Sequence, residues 1–171
     1  MKKIIIVCFM LWNTAWACTC IGTSTVKNAL KYSSFVFTGR VVASEKVSLL
    51  PKDFNKFAAE YEKMYYEKMK YTFKVSAIYK GKIVTDTLII YSGFGKGDCG
   101  YTFLVGYEYI VYANWNKSLK ESDFETPLKF LETNICTRTQ SLNNDEIMNI
   151  KREITHWRKR GENAVKTKKQ G

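Results

Sequence analysis

The sequence predicts a mainly β protein with flanking helices, in which short strands form an antiparallel barrel or sandwich. Short segments rich in Val, Ile, Phe and Tyr recur along the chain, separated by turns such as Lys80-Gly81-Lys82. In the segment 71–79 apolar and polar residues alternate, as in a strand with one buried face. The length of 171 residues corresponds to one domain.

Six segments are predicted as strands because they concentrate β-branched and aromatic residues. They are 35–43, 71–79, 85–91, 101–105, 107–114 and 133–139. Gly39 lies inside the first segment and predicts a bulge or a sharp bend, as small barrels need. Gly106 predicts a tight bend between the fourth and fifth segments.

Two segments before the C-terminal region have the residue spacing of helices. The first, 26–32, is short, with Thr25 or Ser24 as its N-cap. The second, 53–70, follows Pro51 and carries aromatic residues at helical spacing.

The C-terminal amphipathic helix has the most clearly marked start. Asn143 is the predicted N-cap, and Glu146, three residues later, completes a capping box. The apolar stripe consists of Ile147, Ile150, Ile154 and Trp157. Gly161 is predicted to end the helix, so that 161–171 forms a basic, disordered tail.

The first 17 residues predict a secretory signal peptide. Two lysines precede the short apolar run 4–12, and Ala15-Trp16-Ala17 is a small-residue cleavage site. Cleavage after Ala17 would make Cys18 the first residue of a domain spanning 18–160. The protein is therefore expected to be exported, either extracellular or periplasmic. Lipidation of Cys18 is the alternative outcome of export.

Four cysteines would remain after this cleavage, and an even number in an exported chain predicts two disulfides. They are Cys18, Cys20, Cys99 and Cys136. Side chains two residues apart in an extended segment point to opposite faces, so Cys18 and Cys20 are poorly placed to pair with each other. Two pairings stay open: 18–99 with 20–136, or 18–136 with 20–99. Either pairing joins the mature N-terminus to two distant parts of the chain.

The chain is strongly basic, with a formal net charge of +11 at pH 7. Much of the excess lies in 151–171, which contains eight basic and two acidic residues. This segment is either a solvated helix end and tail or a contact for an anionic surface such as lipid head groups or a polysaccharide. Nucleic acid is not expected as a partner of an exported chain.

No motif predicts an enzyme, a cofactor or a resident metal ion. The segment 95–100 matches G-x-G-x-x-G, but the residues after it predict a strand, whereas the dinucleotide fingerprint needs a helix. His156 is the one histidine of the sequence, and no nucleophile motif accompanies it. The cysteines lack the paired spacing of a structural zinc site.

The cysteines and their neighbours follow a distinctive order. Cys18-Thr19-Cys20 at the predicted mature start is followed by Cys99-Gly100-Tyr101 and by the late single Cys136. Together with Val36-Phe37-Thr38-Gly39-Arg40-Val41 and Tyr79-Lys80-Gly81, this order resembles the tissue inhibitors of metalloproteinases and the wider netrin-like domain family. The resemblance extends over 18–139.

The resemblance implies a five-stranded barrel of the oligonucleotide/oligosaccharide-binding (OB) type with a disulfide-stapled N-terminus. It selects the pairing Cys18–Cys99 with Cys20–Cys136. It also implies a secreted, non-enzymatic inhibitor, because in that family the amino nitrogen and carbonyl oxygen of the mature N-terminal cysteine chelate the catalytic zinc of the target protease. Cys18 is the chelating residue here, and Thr19 points into the specificity pocket.

The implied partner is a zinc metalloendopeptidase, bound in trans by a monomer. The remaining protease contacts are expected from Cys20, Ile21, Gly22, Asp98 and Gly100. Two other interpretations stay open. The N-terminal cysteines could do no more than stabilise the fold. The chain could also be a non-inhibitory netrin-like module that binds an anionic surface or glycan through its basic C-terminal helix and tail.

Overall fold

The computed structural model describes residues 18, 20, 25–49, 66–95, 97–116 and 129–168, and for 161–168 the backbone alone. The described part is mainly β, as the sequence predicts, and contains two helices. The elements are α1 (Val26–Tyr32), β1 (Phe35–Ser48), β2 (Glu67–Lys80), β3 (Thr87–Ser92), β4 (Glu108–Trp115), β5 (Leu131–Glu132), β6 (Gln140–Ser141) and α2 (Asn144–Lys168).

Five of the strands form a ring. The strands pair in the order β1, β2, β3, β5, β4, and an additional pairing of β4 with β1 closes the ring. All of these pairings are antiparallel except that of β3 with β5, which is parallel, so the predicted all-antiparallel arrangement is wrong at this one place. The short strand β6 pairs with β4 outside the ring.

The interior of the ring is apolar and aromatic. Its buried cluster includes residues from all five strands of the ring: Phe35, Phe37, Val41, Tyr71, Phe73, Ile90, Tyr109, Val111, Ala113 and Leu131. Phe103, from the segment before β4, completes the cluster and packs edge-on against Phe73 with ring centroids 5.1 Å apart. Fully burying each large apolar side chain contributes about 1.5–3 kcal/mol, so this cluster is a main source of stability.

A second apolar cluster lies between the sheet and the two helices. It joins Leu30 of α1 and Ile150 of α2 to Val36, Ile110 and Tyr112 of the sheet. Successive residues of a strand point to opposite faces, so β1 and β4 are buried on both faces where the helices cover them. Ile147, Ile154 and Trp157 of the predicted stripe pack against this cluster, which confirms the buried face of α2.

Local capping and bending follow the sequence closely. Thr25 is the N-cap of α1, and its hydroxyl accepts a hydrogen bond from the backbone N–H of Asn28 at 3.2 Å. Asn143 caps α2, since its side-chain oxygen accepts hydrogen bonds from the backbone N–H groups of Asp145 and Glu146. The pairing of β1 with β2 shifts register next to Gly39, where a Cβ atom would lie 2.7 Å from the Lys74 carbonyl oxygen. The predicted bulge is therefore present.

The predicted helix over 53–70 is wrong over 67–70, because Glu67–Lys80 is strand β2. Residues 53–65 of that prediction lie outside the described part of the chain. Pairing with β1 continues to Ser48 opposite Glu67, and two cross-strand ion pairs of 2.7 Å support it. Strand pairing with a long partner overrides the helical spacing of a short segment.

Two further predicted strands, 101–105 and 133–139, are absent from the described structure. Tyr101 and Phe103 pack against the ring interior, but side chains bind the backbone N–H groups of this segment: Ser92 Oγ accepts from Tyr101, and Tyr109 Oη from Leu104. In 133–139 a turn and a cluster of threonine hydroxyls replace the strand. The predicted bend at Gly106 is confirmed, with φ of 90°.

The predicted end of the C-terminal helix at Gly161 is also wrong, because α2 runs to Lys168. One glycine costs a helix only about 1 kcal/mol relative to alanine, and the residues that follow it are acceptable helix formers. The disordered tail expected from 161 is therefore helical over 161–168. Among the described residues no helix is long and apolar enough to span a membrane.

Candidate functional site

Two disulfides attach Cys18 and Cys20 to two different loops. Cys18 pairs with Cys99 in the loop 93–100 after β3, and Cys20 pairs with Cys136 in the turn 133–139 after β5. This is the pairing that the resemblance implies. Two residues separated by a single position are thus held by loops that are far apart in sequence, 81 and 116 residues away respectively.

Asp98 organises the loop 93–100. Its carboxylate accepts hydrogen bonds from the backbone N–H groups of Phe94 at 2.6 Å, Gly95 at 2.8 Å and Gly100 at 3.1 Å. Desolvation by itself would raise the pKa of Asp98, but these hydrogen bonds outweigh it and lower the pKa below its ordinary value. The carboxylate is therefore ionised at neutral pH and closes the loop beside Cys99.

Two glycines allow the loop to fold this tightly. A Cβ atom on Gly93 would collide with the Asp98 carboxylate, and one on Gly100 would collide with the backbone of Gly93. Cys99 itself has a left-handed φ of 56°. The segment 95–100 therefore has a structural explanation for its glycines, and residues 101–104 after it do not form the helix that a dinucleotide site needs.

Backbone hydrogen bonds join the two disulfide-bearing loops directly. Gly100 forms an isolated antiparallel bridge with Asn134, and the N–H of Ile135 donates to the Cys99 carbonyl oxygen at 3.0 Å. The Asn134 side chain accepts from the N–H of Cys136 at 2.9 Å. Cys99 and Cys136 are thus fixed relative to each other, and the two disulfides act on one connected support, which we call the paired loops (93–100 and 133–139).

A buried polar network lies behind the second loop. Arg138, with a left-handed φ of 70°, donates from Nε and Nη2 to the two carboxylate oxygens of Glu146, each at 2.6 Å. The Tyr112 hydroxyl donates to Glu146 at 2.6 Å. Thr133 Oγ1 donates to the Tyr112 carbonyl oxygen and contacts the hydroxyl of Thr139. The turn that carries Cys136 is thereby attached to β4 and to the first turn of α2.

The ionisation of this network follows from its contacts. Burial acts to raise the pKa of Glu146, yet its hydrogen bonds with Arg138 and Tyr112 outweigh that effect and the pKa is lowered. Burial is the main reason that the pKa of Tyr112 is raised, and the hydrogen bond to the Glu146 carboxylate raises it further. The hydrogen bond with Glu146 raises the pKa of Arg138. Arg138 and Glu146 are therefore both charged at physiological pH, and the Tyr112 side chain is neutral.

The outer part of the β1–β2 pair lies beside the paired loops. β3 ends at Ser92, opposite Met69, whereas β1 and β2 remain paired as far as Ser48 and Glu67. Lys46 on this two-stranded extension places its Nζ atom 5.3 Å from the ring centre of Phe94. The extension therefore flanks the loop to which Cys18 is attached.

The structure brings together four of the site residues that the sequence predicts: Cys18, Cys20, Asp98 and Gly100. Thr19, Ile21 and Gly22 lie outside the described residues. Reasoning from the sequence missed Asn134, which joins the loops, and the pair of Arg138 with Glu146. Ion pairs between a turn and a helix have no sequence spacing that would reveal them.

Chemically, the site presents a disulfide-held main-chain segment rather than a constellation of reactive side chains. Cys18 and Cys20 are partly exposed. Within the described ranges no group of three His, Cys, Asp or Glu side chains is arranged to hold a metal ion. The disulfides are typical of an oxidising, extracellular-type compartment.

Comparison of the chain with protein-family models gives no match, and no curated protein matches it with significance.

Proposed function

We propose that the protein is a secreted, non-enzymatic inhibitor of zinc metalloendopeptidases, a single-domain member of the netrin-like family that includes the tissue inhibitors of metalloproteinases. In this proposal the five-strand ring is a barrel of the OB type, residues 1–17 are a removed signal peptide, and the monomer acts through Cys18. One observation carries the proposal: two disulfides hold Cys18 and Cys20 on loops that are themselves hydrogen-bonded to each other.

The chemistry of an N-terminal Cys18 suits a catalytic zinc ion. Its α-amino nitrogen and carbonyl oxygen together would form a five-membered chelate ring with the metal. An α-amino group has a pKa of about 7.7–8.0, so an appreciable fraction is neutral and able to donate a lone pair near pH 7. Catalytic zinc keeps one position for water or substrate, and the two Cys18 atoms would displace that water.

The paired loops lower the cost of binding. A free N-terminus would lose conformational entropy on entering a protease cleft, typically about 1–2 kcal/mol for each residue ordered. Disulfides to Cys99 and Cys136 restrict this segment before binding, and the Gly100–Asn134 bridge keeps the two attachment points in register. Preorganisation of this kind is the usual source of high affinity in inhibitors.

The surrounding residues supply the rest of the proposed contact surface. Thr19 would enter the specificity pocket next to the zinc. Cys20, Ile21, Gly22, Asp98 and Gly100 would line the contact around Cys18. The β1–β2 extension, which carries Lys46 next to Phe94, lies beside the same loop and would widen the surface.

The test compares two forms of the protein that differ only at the N-terminus. The mature form begins at Cys18, verified by intact mass, and the control form carries one additional alanine before it. We expect the mature form to inhibit a zinc endopeptidase from a panel and the extended form to be weaker by about 100-fold or more, equivalent to roughly 2.7 kcal/mol. The extension removes the chelating amine but leaves both disulfides in place.

Two controls make the comparison decisive. Thermal unfolding of the two forms should coincide, because the extension lies outside the fold. Acetylation of the Cys18 α-amino group should reproduce the effect of the added alanine. Equal inhibition by mature and extended forms would refute zinc chelation, and no inhibition of any endopeptidase in the panel would refute the proposed function.

A further inference from the structure

A second site lies between the two helices and shares no residue with the paired loops. An open cavity of about 230 Å³ is lined by Lys27 of α1 and by Glu153, His156 and Arg160 of α2. Its walls are fixed by the apolar packing beneath it, because Val26 and Trp157, the sequence neighbours of Lys27 and His156, both pack against the helix-covered core cluster. We call this cavity the α1–α2 cleft.

The cleft carries an excess of positive charge, because Lys27 and Arg160 face it together with the single carboxylate of Glu153. Some basic side chains of the described structure pair with carboxylates, as Lys46 does with Glu67 and Arg138 with Glu146. No side-chain hydrogen bond or ion pair joins Lys27, His156 or Arg160 to another described residue. As far as the described residues show, their side-chain N–H groups are therefore open to a ligand.

We propose that the α1–α2 cleft binds a phosphate or sulfate ester group of a sugar. The guanidinium of Arg160 presents a planar pair of donors that matches two oxygens of such a group. Lys27 supplies a second charge from the opposite helix, and the His156 imidazole supplies a further N–H donor. Three donors from two elements converge on one cavity, as a discrete anion requires.

Glu153 indicates what accompanies the anionic group. A carboxylate in a basic cleft repels a bare anion, but it accepts hydrogen bonds from hydroxyl groups. A sugar ester carries both kinds of group side by side. The cavity is also smaller than the roughly 300–1,000 Å³ of pockets that enclose drug-sized ligands, so it suits one ester group with its sugar ring.

A membrane surface is the competing ligand, and the lining argues against it. All four lining residues are charged or polar, and the site is concave. A protein segment that lies on a bilayer instead presents apolar side chains that enter the head-group region. We therefore assign the cleft to an anionic carbohydrate.

The single histidine of the sequence permits a direct test. In the untagged chain that begins at Cys18, the only imidazole C–H signals in the NMR spectrum belong to His156. We expect a sulfated heparin-derived tetrasaccharide to shift them saturably and a neutral chitin tetrasaccharide to leave them unchanged. The double variant Lys27→Gln/Arg160→Gln should raise the dissociation constant about tenfold or more, because each lost charge-assisted hydrogen bond weakens binding.

Matched controls separate this site from general charge and from the inhibitory site. Lys82→Gln removes an exposed charge in the β2–β3 turn and should change the dissociation constant less than about twofold. Inhibition by the Lys27→Gln/Arg160→Gln variant should equal that of the wild type. Absence of a saturable shift, or equal weakening by Lys82→Gln, would overturn the proposal. A His156 shift with phosphatidylglycerol vesicles but none with the tetrasaccharide would overturn it in favour of a membrane.

Discussion

The interior of the ring and the paired loops are held together by different forces. The interior is a continuous cluster of apolar and aromatic side chains, in which Phe37, Phe73 and Phe103 meet edge to face. The paired loops contain glycine, asparagine, threonine and aspartate, and are held by two disulfides and by hydrogen bonds to Asp98.

The ring interior therefore mainly provides stability, whereas the paired loops mainly fix the geometry of the N-terminal segment. Burial of apolar surface is non-directional and contributes to the stability of the whole domain. Hydrogen bonds and disulfides contribute less in net free energy, but they fix positions and angles. We infer that core substitutions will lower the free energy of unfolding most, whereas loop substitutions will weaken binding at a smaller cost in stability.

The largest expected effect on stability comes from a substitution in the interior of the ring. Phe73→Ala removes a fully buried ring that packs against Phe37 and Phe103. The variant should lose about 3–5 kcal/mol of unfolding free energy, measured by denaturant titration. Tyr107→Ala, at a side chain that is 63% exposed, is the control and should cost less than about 0.5 kcal/mol. Similar losses in both variants would show that the interior is not the main source of stability.

The second effect concerns one of the covalent links in the paired loops. The double variant Cys20→Ala/Cys136→Ala removes a disulfide that spans 116 residues and should cost about 2–4 kcal/mol. Because loss of this disulfide also releases one of the two attachments of the N-terminal segment, we expect inhibition to weaken by about tenfold or more at temperatures where the variant remains folded. Inhibition at the wild-type level in a folded variant would contradict the role of preorganisation.

The third effect concerns the network behind the Cys136 turn. Glu146→Gln removes the charge that Arg138 binds through two hydrogen bonds and should cost about 1.5–3 kcal/mol. The control is Glu108→Gln, whose exposed partner Arg40 lies 3.6 Å away, with an expected cost below about 1 kcal/mol. Equal costs would show that the Glu146 pair does not support the turn.

The same carboxylate predicts a pH dependence. The pKa of Glu146 is lower in the folded protein than in the unfolded chain, where glutamate has a pKa of about 4.3. The ion pair therefore contributes its stability fully above that pH, and the contribution is lost as the pH falls through the lower, folded value. Denaturant titrations between pH 6 and about 3 should show a steeper fall for the wild type than for Glu146→Gln, and parallel curves would contradict this assignment.

The smallest expected effect on stability lies in the loop that carries Cys99. Asp98→Asn keeps the size of the side chain but weakens its bonds to the N–H groups of Phe94, Gly95 and Gly100. Because the residue is exposed, the unfolding free energy should fall by only about 1 kcal/mol or less. The loss of binding free energy to the protease should exceed the loss of unfolding free energy. The control variant Asp86→Asn, in the β2–β3 turn, should change neither quantity. A variant that loses stability but inhibits normally would place Asp98 outside the contact surface.

Local signals in the sequence predicted the elements that obey local rules. The alternation over 71–79 marked the ring part of β2, Thr25 and Asn143 marked the helix starts, and Gly39 marked the bulge. The cysteine count predicted two disulfides, but spacing alone left two pairings open, because pairing depends on which loops meet in space.

The misses occur where tertiary contacts override those rules. Tyr101 and Phe103 look like strand residues because they are aromatic, yet they fill the interior while side-chain oxygens bind the backbone of their segment. The residues 67–70 extend β2 because β1 offers a partner over that length. The bond of Arg138 to Glu146 joins a turn to a helix, and no periodicity connects them.

The coordination of a target zinc ion tests the central claim most directly. X-ray absorption at the zinc edge would be recorded for a zinc endopeptidase that the protein inhibits. Three samples are compared: the enzyme alone, the enzyme with the mature form, and the enzyme with the alanine-extended form. The account predicts that the mature form replaces the zinc-bound water by one nitrogen and one oxygen, raising the coordination number by one. The extended form should leave the spectrum of the free enzyme unchanged. Inhibition by the mature form with an unaltered zinc spectrum would contradict chelation by Cys18.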